Sequence, residues 1–194
     1  MNLQKMFEMQ KVLDDRIIKE KGLEGQDLLP NLILALQVEL AECANEWRGF
    51  KHWSNDREPR NHCKLCQLIE TPHICQNPLL EEYVDCLHFI LSIGNQNKLK
   101  NEILYKLEIE VLCENEESTA GENEDISKQF IKIFSCACEL YFVMGWNPDA
   151  RDTYRHLYRD FTKLGEMLSF TTEEIEAAYM EKNAVNHQRQ QEGY

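Results

Sequence analysis

The stretch Gln37–Ser54, QVELAECANEWRGFKHWS, reads as a helix running into an aromatic, basic loop. Glu39, Glu42 and Glu46 recur at i, i+3 and i+7, which puts three carboxylates on one helical face. Leu32, Leu36 and Leu40 mark an apolar stripe beside them. Acids on a helix are usually a solvated face. Here the run from Leu28 to Leu40 is almost uncharged, which suits a buried helix better. A second stretch, EEYVDCLHFILSIGN (81–95), sets Glu82 and Asp85 three apart in equally apolar company. Two buried helices that each present a carboxylate pair repel one another unless cations sit between them.

Outward from these two segments the chain is helical. Residues 3 to 21 form a first amphipathic helix, with Leu3, Met6, Leu13 and Ile17 on one face, closed by Gly22 and Gly25. The second helix runs from about Leu28 to Gly49, and an irregular, cysteine-containing stretch follows from Phe50 to Asn77. Asn77-Pro78 opens a third helix as cap and first-turn proline. Gly94-Asn95 is expected to weaken or bend it, and Leu99 to Leu112 reads as helix again. Glu114 to Asp125 reads as an exposed acidic loop. Ile126–Met144 and a segment begun by Asn147-Pro148 are two further helices. Thr171 with Glu174 forms a capping-box pattern that opens the last one, through Asn186 or beyond. No segment alternates with a period of two. The expectation is an all-α helical bundle, one domain over residues 1–194.

The net charge of -13 argues against a sequence-independent grip on nucleic acid, which needs a basic face. It leaves room for a polyanionic small substrate if metal ions supply positive charge. No apolar run is long enough to cross a bilayer, and Met1 to Lys11 lacks the hydrophobic core of a signal peptide. Five of the eight cysteines (Cys43, Cys86, Cys113, Cys136, Cys138) fall in helix-like segments where a buried thiol is the usual state. A reducing cytoplasm is therefore expected.

The two acidic pairs, E-x-x-E and E-x-x-D, offer only oxygen, which selects Mg²⁺, or Mn²⁺, over zinc or iron. His88 follows Asp85 by three, but the Glu39 helix has no matching histidine, so His88 reads as a core or outer-sphere residue. Mg²⁺ on a few carboxylates completes its shell with water and phosphate oxygens, which points to phosphoanhydride or phosphodiester hydrolysis in a di-metal site between helices. On the last helix Lys182, Asn186 and Arg189 share one face at i, i+4 and i+7. That face either balances the acidic helices or clamps phosphate and sugar.

Four segments in order, MQKVLDDRI (9–17), ELAECANEWRGFKHWS (39–54), LLEEYVDCLHFILSIGNQ (79–96) and FTTEEIEAAYMEKNAVNHQRQQEGY (170–194), resemble the dimeric, all-α dUTPases. The resemblance spans nearly the whole chain. It implies a homodimer that hydrolyses dUTP, with dUDP as a second substrate, to dUMP, and so limits uracil in DNA. It implies Glu39, Glu42, Glu82 and Asp85 as magnesium ligands, with Glu39 or Glu42 also activating the water. Gln10 with Asp14 would read the base, Trp53 would border the pocket, and Lys182, Asn186 and Arg189 would hold deoxyribose and phosphates.

Two stretches depart from the resemblance. HCKLCQLIETPHICQNP (62–78) is unexpectedly long and rich in cysteine. Cys63, Cys66 and Cys75, with His62 or His73, have the ligand count of a small zinc site, although free thiols in a loop are the simpler reading. The acidic 114–125 segment has no role beyond loop. Rival functions are a related pyrophosphatase that prefers another base, such as dCTP, and a non-catalytic helical adaptor, whose Glu39 and Glu82 would be exposed and far apart. A zinc-dependent nucleic-acid module ranks third, disfavoured by charge.

Overall fold

The structure, a computed structural model, describes residues 1–62, 77–101, 104, 125–144 and 147–193. Among them there are six helices described along their length, further helical residues at 100, 101 and 104, and no strand. They are α1 (Leu3–Glu20), α2 (Leu29–Trp47), α3 (Pro78–Gln96), α4 (Ile126–Val143), α5 (Asn147–Met167) and α6 (Thr172–Gln191). The all-α reading holds. Of the proposed zinc ligands only His62 is described; Cys63, Cys66, His73 and Cys75 lie outside the described residues, as do most of Leu99–Leu112 and of the acidic loop.

The helix ends follow local chemistry. The Asn2 side chain accepts from Lys5 N at 3.1 Å, and Asn77 from Leu80 N at 3.1 Å, each satisfying a first-turn donor. The capping box of α6 is complete: Glu174 N donates to Thr171 Oγ1 at 3.2 Å, and Thr171 N donates to Glu174 Oε2 at 2.9 Å. α2 stops short of Gly49 because Arg48 itself takes the left-handed conformation, φ 64°. Residues other than glycine adopt that backbone uncommonly, and here the side chain holds it. Arg48 Nε donates to Asp56 O at 3.0 Å, and the guanidinium pairs with the Asp56 carboxylate at 2.9 Å.

The helix expected to weaken or bend at Gly94-Asn95 ends one residue past them, at Gln96. α3 runs unbroken through Gly94 to Gln96. Glycine is needed there for room, because the Tyr154 phenol lies against the bare backbone. Its hydroxyl donates to Ile90 O at 2.9 Å, one turn earlier on the same helix.

α3 is the central element and packs against α1, α2, α5 and α6, while α4 closes the bundle against α2 and α5. α3 buries Leu79, Leu87, Ile90 and Leu91 in the same core as Leu36 and Leu40 of α2. Each such side chain contributes about 1.5–3 kcal/mol on burial. Tyr83 stacks on Phe161 of α5 with centroids 4.3 Å apart and donates to its carbonyl at 3.2 Å. Among the described residues no helix is long and apolar enough to cross a membrane.

A methyl group at position 94 would overlap the Tyr154 hydroxyl and press on Phe7. Gly94→Ala is therefore expected to cost about 1–3 kcal/mol, as overpacking does, and to lower Tm by roughly 2–4 °C per kcal/mol. A thermal melt indistinguishable from the parent protein's would contradict the close approach of α5 to α3.

Candidate active site

Where α2 lies along α3, Glu39, Glu42 and Glu82 each place a carboxylate oxygen within 4.8 Å of the others. The i, i+3 spacing on α2 aims the first two at the same gap, and Glu82 meets them from α3. Glu39 and Glu82 are half-buried and Glu42 is exposed. Glu46, the third acid of that face, stands apart from this cluster and pairs with Arg60 at 3.1 Å. Asp85, one turn beyond Glu82, is held differently. Its Oδ2 lies 2.6 Å from Lys182 Nζ of α6, and the same ammonium reaches Glu81 at 2.8 Å.

The acids feel their crowding. Burial and the charges of Asp85 and Glu42 push Glu39 up to about 7, where it shares a hydrogen bond with Glu82. Burial and the same set of neighbouring acids push Glu82 up to about 7 as well. Burial also raises Asp85, partly offset by Lys182. Burial alone would lower the Lys182 ammonium, but contacts with Asp85 and Glu81 outweigh it and hold the group above its usual value. Three partly buried carboxylates that surrender a proton so reluctantly form an under-compensated negative site. An all-oxygen donor set of that kind fits a hard divalent cation.

A cavity of about 360 Å³ opens beside the seam. Gln10, Asp14, Glu39, Asp85, Lys182, Asn186 and Arg189 all line it, so the structure brings together seven of the residues singled out from sequence. Apolar walls come from Leu13, Ile17, Leu28, Leu32 and Phe89. Trp53 is not brought there. It is 68% exposed and packs edge-on against Phe50 and His52, with centroids 5.8 and 4.9 Å away.

The far wall is a buried polar network joining α1, α3 and α6. Gln10 Nε2 donates to Asp14 Oδ1 at 2.9 Å and to Ser92 Oγ at 3.0 Å. Ser92 Oγ donates to the same Asp14 oxygen at 2.9 Å. Because both amide protons point to these acceptors, Gln10 Oε1 faces His88 Nδ1 at 2.6 Å and the Tyr179 hydroxyl at 3.1 Å. His88 must then carry its proton on Nδ1. Its ring stacks on Tyr179 at 4.4 Å, and its Nε2 is a buried acceptor with no partner, as is Asp14 Oδ2. Burial, helped by the Lys182 charge, lowers His88 to about 3 and keeps it neutral. Burial raises Asp14 to about 6 against the bonds from Gln10 and Ser92.

Sequence reasoning placed His88 outside the metal shell but missed Ser92 and Tyr179. A signal for part of this was present. Glu81, Asp85, His88 and Ser92 step by four, three and four, a continuous polar stripe along an otherwise apolar helix. The adaptor reading required Glu39 and Glu82 to be exposed and separate, and the seam contradicts it. A family model described as dUTPase matches residues 2–194. Among curated proteins, none matches the chain.

The two network shifts act oppositely on stability. His88 is lowered from 6.5 to about 3, so its contribution is present above pH 6.5 and is lost as pH falls through that window. Asp14 is raised from 3.8 to about 6, so its contribution is present at low pH and is lost as pH rises through about 6. Between about pH 7 and about pH 5, replacing His88 by Gln should remove an acid-side loss of about 2 kcal/mol. Denaturant melts of parent and His88→Gln at the two pH values measure it; identical pH dependence would show that His88 is not held neutral.

Proposed function

The chain belongs to the all-α dUTPase family and is a dUTP diphosphatase; from that premise we propose that it cleaves dUTP to dUMP and pyrophosphate, and dUDP to dUMP and phosphate, by Mg²⁺-assisted attack of water. The observation that carries this reading is the junction of the three-glutamate cluster with a cavity lined by Lys182, Asn186 and Arg189. Glu39, Glu42, Glu82 and Asp85 hold the divalent ions, with Mn²⁺ able to replace Mg²⁺. Bound there, the ions neutralise phosphate charge and make a coordinated water more acidic. Glu39 belongs to the cluster and also lines the cavity, whereas Glu42 and Glu82 are not part of its lining. That position suits Glu39 to orient the attacking water and accept its proton. Lys182 and Arg189 take phosphate oxygens and Asn186 the deoxyribose.

Gln10 has every hydrogen-bonding position of its amide engaged within the protein. It therefore serves base reading by fixing its neighbours, and the open valences belong to Asp14 Oδ2 and His88 Nε2. An acceptor at His88 Nε2 suits the N3–H of uracil and repels the N3 lone pair of cytosine, which favours dUTP over dCTP. Trp53 borders the nucleotide in this reading only by folding over it from the loop after α2.

The cellular setting follows the same reading: one dUTPase-like domain, in the cytoplasm, limiting uracil in DNA. The family match across residues 2–194 supports the first point. Unbonded thiols at Cys43, Cys86, Cys136 and Cys138 support a reducing compartment. Homodimerisation is supported by exposed apolar side chains on two packed helices, Leu34 and Val38 of α2 with Ile131 and Phe142 of α4.

The test is pyrophosphate release from dUTP, dCTP and dTTP with Mg²⁺. dUTP should react far faster than either competitor, and equal rates for dUTP and dTTP would replace this reading with a broad pyrophosphatase. Glu39→Gln should lower kcat by about 10²–10⁴-fold if Glu39 is the base; a variant within a few-fold of the parent would move that role to Glu42.

A further inference from the structure

Lys182 occupies a position that a phosphate clamp alone does not explain. Its side chain is 11% exposed and is wedged between Asp85, 16% exposed, and Glu81, 46% exposed. The carboxylates that converge within 4.8 Å are Glu39, Glu42 and Glu82, and Asp85 is not among them. The Asp85 oxygen turned to Lys182 is committed to an ammonium at 2.6 Å. We propose that Lys182 gates the fourth carboxylate: it withholds Asp85 from metal until nucleotide phosphate draws the ammonium away, and Glu81 is the positioning residue that keeps it within reach.

This inference rests on the metal reading above. Without nucleotide, the three glutamates can take one ion, and a second ion that needs Asp85 meets a competing cation. A triphosphate entering the cavity offers Lys182 several anionic oxygens, a stronger partner than one carboxylate. Moving the ammonium off Asp85 takes rotation about Cδ–Cε or a bond nearer the backbone, and Glu81 at 2.8 Å is its second partner. Nucleotide and second ion then bind cooperatively, and by linkage each strengthens the other by the same factor, typically about 5–150-fold. Glu81 acts through Lys182 and need not touch nucleotide or ion.

The experiment counts Mn²⁺ on the full chain by the loss of the free-ion EPR signal, with and without α,β-imido-dUTP. Wild type without nucleotide should bind one tight Mn²⁺ per chain and gain further sites with the analogue. Because the analogue brings an ion of its own, the decisive arm is Lys182→Met without nucleotide, which should bind two. Glu81→Gln should still bind one, and it should need roughly tenfold more analogue to gain the next, since Lys182 then rests wholly on Asp85. Two tight ions on nucleotide-free wild type would overturn the gate. So would a Lys182→Met protein that binds its first ion more tightly but takes no second, the mark of simple charge removal. A wild type that binds no Mn²⁺ with or without the analogue would instead overturn the assignment of Glu39, Glu42 and Glu82 as ligands.

Discussion

α2 packs against α3, with Leu36, Leu40, Leu87 and Ile90 all in one buried core, and the same pairing of helices brings Glu39, Glu42 and Glu82 together. The apolar half of the contact stabilises the bundle, while the acidic half opposes it. Fully ionised, the three glutamates would repel strongly in a half-buried gap, and the site answers in two ways. It keeps protons on acids that would ordinarily lose them, and it draws one ammonium inward from α6. Neither response is complete, which leaves a standing demand for positive charge. The ammonium comes from α6, a helix that also carries part of the cavity wall.

The second organised feature is the Gln10 network. It ties three helices through groups that share a very few protons, so the orientation of one amide fixes the others. Asp14 and Ser92 take both amide protons of Gln10, and that choice determines the tautomer of His88. The Tyr179 hydroxyl lies within reach of both Gln10 Oε1 and Met6 O, which anchors α6 to α1. A network with so few alternatives is stiff, and it holds two unsatisfied acceptors in place at the cavity.

How much of this was legible in the sequence depended on whether a single helix carried the information. Glu39 with Glu42, the Thr171–Glu174 cap and the Lys182–Asn186–Arg189 face are set by helical periodicity alone, and the structure keeps all three. Relations between helices were less legible. Glu82 and Asp85 look equivalent along the chain, yet one joins the cluster and the other turns to a lysine nearly a hundred positions away. Gly94 reads along the chain as a point where α3 weakens or bends, and its packing role shows only in the close approach of Tyr154 from α5. The base-reading role of Gln10 is implied by the family resemblance, and nothing along α1 shows that partners on α3 and α6 engage its amide.

The charge of the whole chain bears on how the substrate arrives. A net charge of -13, with an acidic seam beside the cavity, gives the protein a long-range field that repels a nucleotide triphosphate. Most enzymes that handle polyanions attract them and lose association rate as salt is added. Here the sign is reversed: added salt shortens the reach of the repulsion, to about 8 Å at physiological ionic strength, and speeds encounter. The favoured visitor is a nucleotide already carrying a divalent ion, because its smaller charge meets a lower barrier on approach.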